Sequence, residues 1–390
     1  MSQAPIHRRF AEARPKPGNL QFAIRQQPRG NQQFQPLPAP SGSPPFRIAL
    51  DRLLPADRIA AIKAAGQLVV QIAGDTGGVK FPVPQQIVAM DQEAQFDTSG
   101  AAQPAFFYHL GDVVYFYGEA GNYFDQFYDP YSHYSAPILA IPGNHDGDVI
   151  PGGAASLAAF VNNFCAAEAR ITPDAGEISR DAMTQPNVYW TLAAPFATFV
   201  GLYSNVPEGG QFDDQQLAWF ANELRAAPAD KALIVAAHHP CYSADTEHSG
   251  SIYMQETLDK AFDDAGRMAD IVLAGHVHNY QRFTRTANRR QVPYIVAGAG
   301  GYWHLHYVAK QPDGSDLPLP YSLPGGDVTL ESFCDNRHGF MRLTIAPQFL
   351  RGEYFAVARP HEPWRAPAIL IDSFTLDLHE HRLVQMNPTK

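Results

Sequence analysis

Cysteine is scarce. Cys165, Cys241 and Cys334 are the only three in 390 residues, and none forms a CxxC pair. That excludes a disulfide framework and suits a reducing compartment. Long apolar runs are also missing. None approaches the roughly 18 residues needed to cross a bilayer, so no membrane span is expected. His7-Arg8-Arg9-Phe10 superficially resembles a twin-arginine signal. The apolar stretch such a signal needs does not follow, so no export signal is read and a cytoplasmic location is the default expectation. Positive charge is in deficit too. Lys and Arg number 29 against 39 Asp and Glu, a formal net charge of -10. A broad basic face for nucleic acid is therefore not expected. A small anionic substrate remains compatible, because bound cations would dominate the local field.

What is present falls into zones. Residues 1–45 form a Pro- and Gln-rich arm. Through residue 50 it carries seven basic residues (Arg8, Arg9, Arg14, Lys16, Arg25, Arg29, Arg47) against one acid, Glu12. Composition leaves two readings open: a free tail, or an arm lying on its own acidic body or on a partner. Residues 46–390 read as one domain. Within it, a motif core over 66–300 precedes an aromatic and Pro-rich segment, 302–337, expected to be a lid loop. C-terminal strands over 338–390 follow. Inside the core, short continuous apolar runs alternate with helical stretches such as Asp213–Leu224 and Met254–Ala265. Runs of this kind read as doubly buried strands. Their alternation with helices predicts a four-layer αββα sandwich of two mixed sheets.

The chemistry lies where these runs stop. Leu68–Ala73 ends at Asp75, Ala105–Leu110 at Asp112, and Pro137–Ile141 at Asn144-His145-Asp146. Ala232–Ala237 ends at His238, and Ile271–Ala274 at Gly275-His276-Val277-His278. Ligands of open α/β sheets gather at the carboxyl ends of the strands. Asp75, Asp112, Tyr115, Asn144, His238, His276 and His278 are too many donors for one tetrahedral ion. They suit two ions sharing a carboxylate, a pair able to clamp a phosphoryl group and activate water. Taken one at a time, each has a plainer reading: an Asp as a helix cap, Tyr115 as a core aromatic, His238 as a satisfied buried histidine. His239 reads as a neighbour of the site, His109 as structural and Cys241 as buried. His304 and His306 are candidates for touching substrate.

Gly74-Asp75-Thr76-Gly77, Gly111-Asp112-Val113-Val114-Tyr115, Gly143-Asn144-His145-Asp146, Val235-Ala236-Ala237-His238 and Gly275-His276-Val277-His278 resemble, in order, the five motifs of purple acid phosphatases. Those enzymes sit within the calcineurin-like metallophosphoesterases. Most of that superfamily has Asp-x-His in the first motif. Here Gly77 stands where the histidine would be, and Tyr115 is present. The resemblance implies an iron(III) held by Asp75, Tyr115 and His278. It implies a divalent iron, zinc or manganese held by Asn144, His238 and His276, with Asp112 bridging the two. His145 resembles the family histidine that contacts phosphate and moves a proton, with Asp146 orienting it. His248 resembles a second such histidine, at a spacing that differs by one residue. The function implied is a dinuclear phosphomonoesterase of acid phosphatase type, acting on a small phosphorylated substrate, with hydroxide held by the metals attacking phosphorus. The rivals are a phosphodiesterase or nucleotide pyrophosphatase on the same site, and a binding module that keeps the metals without activity.

Overall fold

The computed structural model describes residues 33–97, 102–311 and 313–384, with the backbone of 23–24. Two mixed sheets face each other. One has nine strands in the order Tyr321–Ser322, Val328–Cys334, Tyr280–Ala287, Arg290–Ala297, Ile271–Ala274, Ala232–Ala237, Ala197–Leu202, Trp190–Ala193 and Arg47–Ala49. The other has seven: Arg382–Val384, Ile369–Asp377, Phe349–Ala356, Gly339–Ile345, Leu68–Ala73, Phe106–His109 and Ile138–Ala140.

The strands that carry site residues are parallel within each sheet. Leu68–Ala73, Phe106–His109 and Ile138–Ala140 run together in one. Ala197–Leu202, Ala232–Ala237 and Ile271–Ala274 run together in the other. Every residue of these six strands is buried. Their sequences lack polar alternation because both faces meet apolar neighbours. Between the sheets, Phe106 meets Phe199 edge-on at 5.3 Å and Tyr280 stacks on Tyr354 at 3.9 Å. Helices Val83–Ala94, Asp214–Ala226 and Ile252–Ala265 cover the outer faces and complete the αββα layering.

The local chemistry explains the helix ends. Asp213 caps Asp214–Ala226 by accepting from the Gln216 N–H at 2.6 Å, and Ser251 caps Ile252–Ala265 in the same way. Gly266 ends the second helix at φ 62°, a left-handed conformation that glycine adopts without steric cost.

Two expectations change. The segment 302–337 is not loop throughout, since Tyr321–Ser322 and Val328–Cys334 form antiparallel edge strands of the nine-stranded sheet. Its Pro and Gly residues mark turns around strands rather than one long excursion. The arm over 1–45 lies mostly outside the described residues. Its end is docked on the body: Gly42 donates to the Pro186 carbonyl and Trp219 Nε1 to that of Pro45. The Ala23–Ile24 backbone pairs in parallel with Gly250–Ser251. Among the described residues, no helix is long and apolar enough to cross a membrane.

Candidate metal centre

The strand ends converge. From the seven-stranded sheet come Asp75, Asp112, Tyr115 and Asn144, and from the nine-stranded sheet His238, His276 and His278. All seven are buried. Asp75, Asp112 and His276 have φ of 58°, 54° and 68°. That left-handed conformation costs a non-glycine residue about 1 kcal/mol or more. It turns each chain sharply off its strand and aims the side chain into the shared space. Backbone bonds lock the turns. Asp75 Oδ2 accepts from the His276 N–H, and Asp112 Oδ1 from the His145 N–H, both at 2.9 Å.

Histidine tautomers follow from their outer contacts. His238 Nδ1 lies 2.8 Å from the Leu110 carbonyl, and His278 Nδ1 lies 3.0 Å from the His304 carbonyl. A carbonyl only accepts, so both Nδ1 atoms carry a proton and both Nε2 atoms face inward. His238 Nε2 then stands 3.1 Å from Asn144 Oδ1 and 3.4 Å from Asp112 Oδ2. His276 Nδ1 is 3.0 Å from the same Asn144 oxygen. On the other side, His278 Nε2 is 3.5 Å from Asp75 Oδ1, and the Tyr115 hydroxyl is 3.4 Å from each of those two atoms. Nitrogen and oxygen lone pairs this close and this buried repel one another unless a proton or a cation lies between them. The donor set fits two cations: oxygen and imidazole groups of the kind that iron, zinc and manganese accept.

Electrostatics agree. Burial works against charge at His238, yet Asp112 and Asp75 outweigh it and push the imidazole up to about 9. Without a cation, His238 Nε2 therefore carries a proton facing Asp112 Oδ2, the place that a metal ion would take. Burial, joined by the nearby His248, pushes His276 down to about 4 and keeps it neutral, as a ligand must be. Burial, together with Asp112 and Asp75, drives the Tyr115 hydroxyl well above its usual range. A phenolate at this position therefore requires a cation.

His145 and His248 flank different parts of the cluster. The His145 ring packs 4.7 Å from Tyr115, while His248 packs 4.4 Å from His276. Asp146 does not orient His145. His145 Nδ1 faces the Phe116 carbonyl at 3.0 Å, whereas the Asp146 carboxylate accepts from the N–H groups of Gly143, Val113 and Val114. Asp146 thus ties the Asp112 loop to the Asn144 loop. Burial and the Asp112 charge push it up to about 7 despite those bonds.

His304 contributes its backbone carbonyl rather than its ring. His306 is buried, with Nδ1 3.2 Å from Asp245 Oδ2 and its ring 4.6 Å from that of His278 and 5.4 Å from that of His248. Tyr302 does reach the centre, with its ring 4.3 Å from that of Tyr115 and 4.5 Å from that of His278. His109 is structural: its Nε2 meets Thr76 Oγ1, and burial pushes it down to about 3. His239 pairs with Ser204 Oγ at 2.8 Å and stands beside the donors without joining them. Cys241 is buried, and burial raises its thiol far above the reactive range.

One residue was not foreseen. Glu208 follows the strand Ala197–Leu202, whose end offered no recognised motif. Its Oε1 is 3.3 Å from His276 Nε2 and 3.1 Å from His248 Nδ1. Among the described residues, two triads place ligand atoms within 4.8 Å of one another: Asp75, Asp112 and His238, and Glu208, His248 and His276. The second triad lies on the Nε2 side of His276, away from Asn144. Its geometry is that of a carboxylate accepting from two ring N–H groups.

Comparison with known proteins follows this geometry. The calcineurin-like phosphoesterase model matches residues 72–280. Purple acid phosphatase 21 of Arabidopsis thaliana is 31% identical over 31% of this chain and 28% of its own length. Purple acid phosphatase 15 of the same plant is 27% identical over 51% and 35%. The chain thus spans about a third of the length of the curated relatives it matches. Among solved structures, purple acid phosphatase PPD1 from yellow lupin superposes with a TM-score of 0.55 at 18% identity, covering 80% of this chain and 54% of that one. GAP50, described as the anchor in the inner membrane complex of Plasmodium, gives 0.52 at 15% identity, covering 80% and 89%. These superpositions show a shared two-sheet fold. With its matched core and converging donors, the chain belongs to the calcineurin-like phosphoesterase family, and its relatives in sequence are purple acid phosphatases.

Proposed function

We propose that the protein hydrolyses phosphomonoesters at a dinuclear centre. Asp75, Tyr115 and His278 would hold a ferric ion. Asn144, His238 and His276 would hold a divalent iron, zinc or manganese ion, and Asp112 would bridge the two. The observation that carries the reading is the convergence of ring nitrogens of His238, His276 and His278 on the buried oxygens of Asp75, Asp112 and Asn144. When bound, two such cations offset phosphoryl charge and supply an activated water.

The chain's own groups do the rest. His145, with its proton on Nδ1 facing the Phe116 carbonyl and its ring beside Tyr115, is the group placed to meet phosphate on that side. His248, on the His276 side, is placed to move a proton to or from a leaving oxygen, a contribution worth about 10²–10⁴-fold. Tyr302 closes the aromatic wall over Tyr115 and His278 and keeps water from that side of the centre.

A substrate panel on the metal-loaded protein tests the proposal. Turnover of p-nitrophenyl phosphate should exceed that of bis-p-nitrophenyl phosphate by at least about tenfold. A marked preference for the diester would overturn the monoesterase reading. Two bound ions with no turnover of any phosphate ester would make the chain a binding module.

A further inference from the structure

The Glu208 side chain is only 5% exposed, and it sits between a proposed ligand and a proposed proton carrier. Its Oε1 lies 3.3 Å from His276 Nε2 and 3.1 Å from His248 Nδ1, so one carboxylate oxygen faces two ring nitrogens at hydrogen-bond distance. An ionised carboxylate only accepts hydrogen bonds. Both facing ring nitrogens must therefore carry protons: Nε2 of His276 and Nδ1 of His248. The first leaves the His276 Nδ1 lone pair for the Asn144 side. The second means that any proton His248 exchanges with a substrate is exchanged at Nε2.

We infer that Glu208 is a positioning residue that sets both tautomers at once and couples the proposed divalent site to the proton carrier. This inference rests on the dinuclear reading above.

The loops around it are braced from one source. On the Glu208 side, Asn205 Nδ2 donates to the Gln35 carbonyl at 2.9 Å, and the Gln35 N–H returns to Asn205 Oδ1 at 2.8 Å. On the His248 side, Asp245 Oδ2 accepts from the N–H groups of Glu247 and His248, and Ser243 Oγ donates to the His248 carbonyl. Two residues further on, Gly250–Ser251 pairs with Ala23–Ile24. The N-terminal arm thus touches both loops, three residues before Glu208 and two after His248. It holds the carboxylate and the imidazole at one spacing.

The test compares the holoprotein with Glu208→Gln and with Asn205→Gly, which removes the amide that holds Gln35 and tolerates the φ of 60° there, on two monoesters, p-nitrophenyl phosphate and glycerol 2-phosphate. The first has a leaving group that hardly needs a proton, and the second has one that does. In Glu208→Gln, kcat/KM should fall roughly 10- to 100-fold on glycerol 2-phosphate and less than about fivefold on p-nitrophenyl phosphate, with two metal ions per chain retained. Asn205→Gly should shift in the same direction by a smaller factor. Equal losses on both esters would reduce Glu208 to a packing role and overturn the inference. A third metal ion per chain, lost in Glu208→Gln, would make it a ligand and overturn it as well.

A second readout does not depend on turnover. In the metal-free protein, long-range ¹H–¹⁵N spectra should show His248 as the Nδ1–H tautomer, and Glu208→Gln should lose it. Wild type that hydrolyses no monoester would overturn the proposed function. The tautomer measurement would still decide the role of Glu208.

Discussion

Gly77 and Tyr115 share one space. A Cβ at residue 77 would lie 2.8 Å from Tyr115 Cδ2 and would also collide with Gln126 Oε1. Gln126 in turn accepts from the Tyr115 N–H at 2.9 Å. The glycine is therefore the condition for the tyrosine ring to lie where it does. Gly77→Ala should cost about 2 kcal/mol of stability by overpacking and displace the ring. Chemical denaturation and metal analysis check this together. A variant with full stability and full iron content would refute it.

Tyr115→Phe keeps the packing and removes the oxygen. If Tyr115 binds iron(III), the wild type holds iron and has a visible charge-transfer band, which the variant loses. Loss of a group that merely supports a ligand costs about 10- to 100-fold in metal affinity, and loss of a ligand should cost no less. A colourless wild type loaded only with zinc or manganese would overturn the iron assignment and leave the hydrolase reading intact.

Chelation should destabilise the chain. Cations bound among Asn144, Asp75 and the ring nitrogens would bind the folded chain and not the unfolded one, so folding and metal binding are linked. At metal concentrations a hundredfold above Kd, removing the ions should cost about 3 kcal/mol per site. Differential scanning calorimetry with and without chelator reads this directly. An unchanged transition would show that the donors hold no ion in solution.

Asp146→Ala would leave three buried N–H groups, on Gly143, Val113 and Val114, without their acceptor. A loss of at least about 3 kcal/mol is expected. Metal affinity should fall with it, because the Asp112 and Asn144 loops are then no longer tied. A loss under about 1 kcal/mol would mean that Asp146 is not the clamp described.

His338 makes stability depend on pH. Burial pushes it down to about 4, and its Nε2 meets the Tyr302 carbonyl at 2.8 Å. Unfolded histidine binds protons near pH 6.5. Between about pH 6.5 and 4 the unfolded chain thus takes up a proton that the folded chain refuses. This contribution is full above pH 6.5 and is lost as pH falls to 4, amounting to about 3 kcal/mol. His338→Gln can keep a donor to Tyr302 and should flatten that part of the stability profile. An identical pH slope in wild type and variant would refute the assignment.

The strands and their polar ends were legible because a doubly buried strand leaves a continuous apolar run, and the first polar residue after it marks the turn. That rule brought Asp75, Asp112, Asn144, His238, His276 and His278 into view from local sequence alone. It missed Glu208 because Val206-Pro207-Glu208-Gly209-Gly210 carries one carboxylate with no ligand beside it. Its meaning depends on where His248 and His276, 40 and 68 residues away, come to rest. The part played by His304 was hidden for another reason. A backbone carbonyl has no sequence signature, and the ring drew attention to itself. The strand Tyr280–Ala287 escaped notice because Arg282 and Arg285 interrupt its apolar pattern. It turns through Asn288-Arg289, both at positive φ, without the glycine that usually announces such a hairpin.

The division of donors between the sheets has a further consequence. In the proposed centre, the seven-stranded sheet would supply oxygen donors only: Asp75, Asp112, Tyr115 and Asn144. The nine-stranded sheet supplies nitrogen donors only: His238, His276 and His278. Neither sheet alone defines a metal preference, since hard and borderline atoms meet only at the seam. The spacing of that seam is set by pairs such as Phe106 with Phe199 and Tyr280 with Tyr354, remote in sequence from most of the donors. Affinity for one ion over another can therefore drift through substitutions in the oily interior while all seven donors stay unchanged. Lineages that share these donors need not share a metal.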